Sequence, residues 1–163
     1  MQYAPHGVGA PATARPDRTQ ATTRLAIGFA GTTRILTLDG MIPVDCLAPG
    51  DRIVTRDCGM VRLVAIVSNV NSSIRPVILS AGAVGQSRPE VDMTLGAGQP
   101  LLLRDWRAPA LYGQASAMVP AHRLIDGTFI RLGPEQRRLR LFTLIFAAPH
   151  VIYAEGVECA AGA

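Results

Sequence analysis

The chain has 163 residues, of which 48% are hydrophobic, 17% charged and 5% aromatic, with a formal charge of +4 and a pI near 9.5. That is enough apolar material for one domain with its own core, and it excludes bulk disorder. Every one of the 16 basic residues is arginine, which excludes Schiff-base chemistry and a lysine general base.

The core has to be built from Leu, Ile, Val and Ala, with Trp106, Phe129, Phe142, Phe146 and Tyr153 as its large pieces. Residues 1–23 hold Pro5, Pro11, Pro16, Gly7 and Gly9 without a hydrophobic period and read as a flexible tail. They lack the basic start and apolar run of a secretory signal, and no apolar stretch reaches membrane-spanning length. The expectation is a soluble protein, cytoplasmic by default, with non-classical secretion left open. From Arg24 onward, short apolar runs alternate with turn signals, which predicts an all-β domain over 24–159, with little helix and a short tail over 160–163.

The first predicted hairpin joins Arg34–Leu38 to Met41–Val44 through Asp39-Gly40, a pair that tolerates the positive φ of a tight turn. A Pro49-Gly50 turn then feeds a strand over Arg52–Arg56, whose alternation puts Ile53 and Thr55 on one face. The Asp57-Cys58-Gly59 turn returns the chain into a strand over Val61–Val67. Further strands are expected at 76–79, 101–104, 128–131, 138–146 and, last, 151–154, with a short helical turn over 117–124 before Asp126-Gly127.

The order of these motifs resembles a known family. Gly31-Thr32, Ile35, Thr37, Gly40, Pro43-Val44, Leu47, Gly50-Asp51, Val54-Thr55, Asp57 and Gly59 are similar to the opening of bacterial Hint domains, the fold of hedgehog autoprocessing domains and inteins. Arg107-Ala108, Leu111-Tyr112-Gly113, Val119-Pro120-Ala121, Leu124, Asp126-Gly127 and Ile130 resemble the middle of the branch common in alphaproteobacteria. Phe146, Ala154-Glu155-Gly156 and Glu158 resemble its end. The resemblance implies a horseshoe of antiparallel hairpins and a self-cleavage chemistry. A Cys at the first position attacks the preceding carbonyl, and a Ser/Thr-x-x-His pair protonates the leaving amine, because a thiolate is a strong nucleophile and an amine leaves only when protonated.

At the matching positions this chain departs from the family. The nucleophile slot before Phe29 holds Gly28. The hydroxyl and histidine slots hold Gly96 and Gln99, and the later histidine slots hold Thr143 and Pro149, with His150 one place off. A one-residue shift in a strand turns a side chain to the opposite face. No terminal Asn is present to cyclise: the only asparagines are Asn69 and Asn71. No catalytic residue is therefore expected at the matched positions, and the leading expectation is a Hint module that binds or scaffolds an unknown protein partner.

Two other classes compete with it. An unaligned nucleophile, Cys58 at an exposed turn or Cys159 near the C-terminus, with His122 or His150 as base, would keep autoprocessing alive. Alternatively, Arg131, Arg137, Arg138 and Arg140 form a basic cluster, with Arg138 and Arg140 on one strand face. No aromatic interleaves them and Glu135 interrupts the run, so nucleic-acid binding is not expected. No cofactor motif is visible. Cys46, Cys58 and Cys159 have no metal-ligand spacing, so no metal is expected; Cys46 is expected in the core and Trp106 to pack rather than form a ligand platform.

Overall fold

The computed structural model describes residues 25–162, so the expected tail over 1–23 lies outside the described residues. The strands are β1 (Phe29–Ala30), β2 (Arg34–Thr37), β3 (Gly40–Pro43), β4 (Arg52–Thr55), β5 (Gly59–Arg62), β6 (Ala65–Asn71), β7 (Val77–Leu79), β8 (Met93–Leu95) and β9 (Pro100–Leu103). After an α-helix, α1 (Arg107–Tyr112), come β10 (Ala117–Pro120), β11 (Ile130–Leu132), β12 (Leu139–Ile145), β13 (His150–Ala154) and β14 (Val157–Ala161). They form a six-stranded sheet, β11-β7-β8-β1-β12-β6, and an eight-stranded sheet made of β10-β9-β14-β13-β2-β4-β5 and, off that path, β3, which pairs with β2. The fold is the all-β arrangement of antiparallel hairpins that the turn spacing predicts.

Three local readings need correction. The apolar run 61–67 is two strands, not one: β5 pairs with β4 while β6 pairs with β12 in the other sheet. The crossing falls at Leu63 and Val64, whose N–H groups donate to Asp51 O (2.8 Å) and Ile145 O (2.9 Å) respectively. Both sheets want β-prone residues, so composition does not mark the switch. The expected helical turn over 117–124 is half strand, because Ala117–Pro120 pairs with β9 and only Ala121–Leu124 turns as a 3-10 helix. Helix α1 places Pro109 in its first turn, where a missing N–H costs nothing, and ends on Gly113 at φ 67°, whose N–H donates to Pro109 O.

The final strand is also later than expected. β14 runs to Ala161, beyond the boundary at 159, and lies between β9 and β13 inside its sheet. Cys159 is consequently fully buried rather than a tail residue. Glu155, at φ 47° in the β13–β14 turn, is buried with its carboxylate accepting from Arg34 N–H (2.8 Å) and from the Arg34 guanidinium (2.7 Å). A glutamate in a left-handed turn position is tolerated here because the turn aims it at that arginine.

The core fills the space between the sheets with Ile35, Ile53, Leu79, Leu95, Leu101, Ile130, Leu144 and Ile152, all fully buried. Ile53 and Thr55 face it together, as alternation predicts. Of the expected large pieces, Phe146 is buried and Phe142 and Tyr153 are half-buried, but Trp106 and Phe129 are 73% and 56% exposed. Phe29 takes a buried place instead. Trp106 stands outside because the α1 residue that packs inward is Ala108. Cys46 is exposed as well, since in its 3-10 turn it is Val44 that enters the core. Among the described residues no helix is long and apolar enough to cross a membrane.

Candidate functional site

Gly28 lies immediately before β1 at φ +117°, and its backbone is held on both sides. Its N–H donates to Gln99 Oε1 (3.1 Å), and its carbonyl accepts from Gly96 N–H (2.9 Å). One step earlier along this pairing, Ala26 O accepts from Gly98 N–H (2.8 Å). Residues 26–28 therefore run along 96–98 and extend the Phe29–Leu95 pairing of β1 with β8.

The glycines make this approach possible. A Cβ on Gly96 would stand 2.2 Å from Ala26 O, and one on Gly98 would stand 2.8 Å from Leu25 O. A Cβ on Gly28 would meet Phe142 O at 2.7 Å, in a backbone conformation that L-residues rarely adopt. Gly28 and Gly96 are thus enclosed by closely packed main chain.

Gln99 is 1% exposed and spends its whole amide on backbone. Besides accepting from Gly28, it donates through Nε2 to Ala160 O (2.8 Å) and Pro100 O (3.2 Å). A carboxamide supplies both an acceptor and donors without titrating, so it joins β1 to β14 at any ordinary pH. Beside it is a cavity of about 220 Å³ lined by Ile27, Phe29, Gln99, Thr143, Pro149 and Gly162 among others. Gln99, Thr143 and Pro149 thus lie on one wall, and Gly28 stands between the lining residues Ile27 and Phe29. Among the described residues, no Cys, His, Asp or Glu lines the cavity. Its chemistry is that of a largely apolar recess with an amide and a hydroxyl, neither of which transfers protons near neutral pH.

The unaligned candidates lie elsewhere. His150, next to Pro149, does not line the recess; its Nδ1 lies 2.6 Å from Asp57 Oδ2, and its ring meets Phe146 edge-on. Asp57 Oδ1 also accepts from Val151 N–H (3.0 Å). Burial alone would raise the Asp57 carboxyl, but the hydrogen bonds from Val151 and His150 outweigh it and hold it at about 2. Cys58 is exposed on the same turn, and the Asp57, Cys58 and His150 side chains bring donor atoms within 4.8 Å of one another. Sequence reasoning named Cys58 and His150 separately but missed Asp57 as their link; 93 residues separate it from His150, and no local signal spans that distance. His122 is half-buried, with Nδ1 3.1 Å from Ala97 O. Burial, and secondarily Glu158, push the Cys159 thiol far above its usual range.

These placements set an expectation for thiol chemistry. Iodoacetamide should modify Cys46 and Cys58 in the native protein, and Cys159 only after unfolding, as read by peptide mass spectrometry. Native labelling of Cys159 at a comparable rate would contradict its burial. Within the basic cluster, Arg131 Nη1 donates to Ser80 Oγ (2.7 Å), and Arg137, Arg138 and Arg140 are exposed. Arg138 lies before β12, which starts at Leu139, so the expected shared strand face of Arg138 and Arg140 does not form.

The fold agrees with comparison to known proteins. Solved structures similar to this one include a DnaB intein from Synechocystis sp. PCC 6803 (TM-score 0.56, 11% identity, 83% of this chain and 99% of that one). A bacterial intein-like domain from Clostridium thermocellum (TM-score 0.54, 11% identity, 85% and 99%) and the gp41-1 intein (TM-score 0.52, 10% identity, 83% and 98%) are also similar. At such identities these likenesses establish the fold alone. No curated protein matched the sequence. The model of the family described as Hint domain matches residues 27–161, a span that starts beside Gly28 and includes all of β14. The chain belongs to the Hint domain family.

Proposed function

We propose that this Hint domain does not cleave itself and serves as a binding or scaffolding module. The observation that carries this reading is the state of the nucleophile slot. Gly28 offers no attacking atom, its N–H is tied to Gln99, and no acid, base or thiol among the described residues lines the recess around it. Formation of a thioester needs a nucleophile and a proton donor for the leaving amine within about 3 Å of the scissile peptide. Autoprocessing through Cys159 is disfavoured by burial of its thiol, and through Cys58 by its place on a turn outside the recess.

The test is a fusion carrying a reporter domain ahead of Met1, incubated with a thiol or hydroxylamine and analysed by gel and intact mass. The fusion is expected to stay full length. Release of the reporter by scission next to Gly28 would overturn the proposal, and scission elsewhere would point to an unaligned nucleophile. A largely apolar recess of this kind suits an apolar segment of a partner protein.

A further inference from the structure

We propose that Asp57, Cys58 and His150 form a binding site for a thiophilic divalent cation of the Zn²⁺ class, distinct from the Gly28–Gln99 recess. The three side chains offer a carboxylate, a thiolate and an imidazole, with all donor atoms within 4.8 Å of one another. That donor set matches borderline-soft metals, and three protein ligands leave a fourth position for water or a small ligand. Tetrahedral zinc with bonds of about 2.0–2.3 Å needs donors roughly 3.5 Å apart. Rearrangement on the scale of an ångström at an exposed turn is therefore sufficient.

The surroundings hold the donors in place. The turn carrying Asp57 and Cys58 is tied to β13 by Arg56 N–H donating to Val151 O (2.8 Å) and by Val151 N–H donating to Asp57 Oδ1 (3.0 Å). Cys58 N–H donates to Thr55 Oγ1 (3.2 Å), and the Thr55 side chain is buried. Phe146 fixes the imidazole edge. Arg56, the nearest cation in sequence, is committed to Glu158 (3.2 Å). Binding would release the thiol proton of Cys58 to buffer, while a neutral His150 ligates through one ring nitrogen and keeps its proton on the other, and the Asp57 carboxylate has none to lose. The chain also holds an internal comparison: Asp45 and Cys46 form another exposed Asp-Cys pair, with Cys46 Sγ 3.5 Å from Asp45 Oδ1, but among the described residues no histidine joins them.

The experiment uses the reduced full-length chain titrated with Co²⁺, followed by displacement with Zn²⁺ in a calorimeter. The expected result is a single equivalent bound with a thiolate-to-cobalt charge-transfer band. Cys58→Ser should abolish the band, and Cys58→Ser and His150→Ala should each weaken zinc binding by about tenfold or more; Cys46→Ser should change neither. Zinc should also protect Cys58, but not Cys46, from iodoacetamide. Cys58→Ser lies at an exposed turn, so its folding is secure even if His150→Ala destabilises the domain. Absence of the charge-transfer band, or undiminished binding in Cys58→Ser, would overturn the proposal. Neither result depends on whether the domain cleaves itself.

Discussion

Replacing Gly96 with serine is expected to destabilise the domain by about 3 kcal/mol or more and to bring no cleavage. The added Cβ would lie 2.2 Å from Ala26 O, 2.6 Å from Ala26 C and 2.9 Å from Ile27 N. All three are backbone atoms, so no side-chain rotation relieves the contact. Retreat of the 26–28 segment would break the Gly96 N–H to Gly28 O and Gly98 N–H to Ala26 O hydrogen bonds, and would draw Gly28 N–H away from Gln99. Thermal denaturation should show a midpoint lowered by roughly 10 °C for a domain of this size. Amide exchange should quicken at residues 26–28 before it does in β12. An unchanged midpoint with unchanged exchange would show that this segment is not packed against Gly96.

The same geometry bears on Gly28→Cys. The new side chain would meet Phe142 O and start from φ +117°, a strain of about 1–3 kcal/mol. Either substitution therefore requires the surrounding main chain to move, not only the side chains to change.

Gln99→Leu should have an effect of similar size by a different mechanism. Leucine keeps most of the volume but leaves Gly28 N–H and Ala160 O without their partner in a place where Gln99 is 1% exposed. Each orphaned buried group costs about 1–3 kcal/mol, for a loss of about 2–4 kcal/mol in denaturant unfolding. Gln99→Glu separates the two ends of the amide. The carboxylate still accepts from Gly28, but its second oxygen faces the Ala160 and Pro100 carbonyls. Burial and those carbonyls raise the carboxyl's pKa in the folded state, so the protonated form is favoured there. The variant's stability relative to the parent should be greatest below about pH 4 and should fall as pH rises through the raised value. A Gln99→Glu variant as stable as the parent at mildly alkaline pH would be incompatible with an amide bridging β1 and β14.

Much of the molecule was legible in local signals. Asp39-Gly40 and Asp57-Cys58-Gly59 make their hairpins because those turns need residues that accept positive φ, and both Gly40 and Gly59 have it, at 104° and 76°. The strand Arg52–Thr55 buries the face its alternation predicts. That Gln99, Thr143 and Pro149 line one recess beside Gly28 was not legible there, because they lie on separate parts of the chain.

Hairpins, alternation within strands and family membership were thus readable from the chain, because each rests on backbone preferences and burial patterns expressed over a few residues. Long-range contacts were needed to establish that the chain changes sheets at Leu63–Val64, that Cys46, Trp106 and Phe129 face outward while Cys159 is enclosed, and that Asp57 and Cys58 meet His150. Those outcomes depend on which distant strand supplies the neighbouring surface. The meaning of Gly28 and Gly96 also comes from the fold: a side chain on Gly96 would collide with the Ala26 and Ile27 backbone that lies against 96–98, and one on Gly28 with the Phe142 carbonyl of β12.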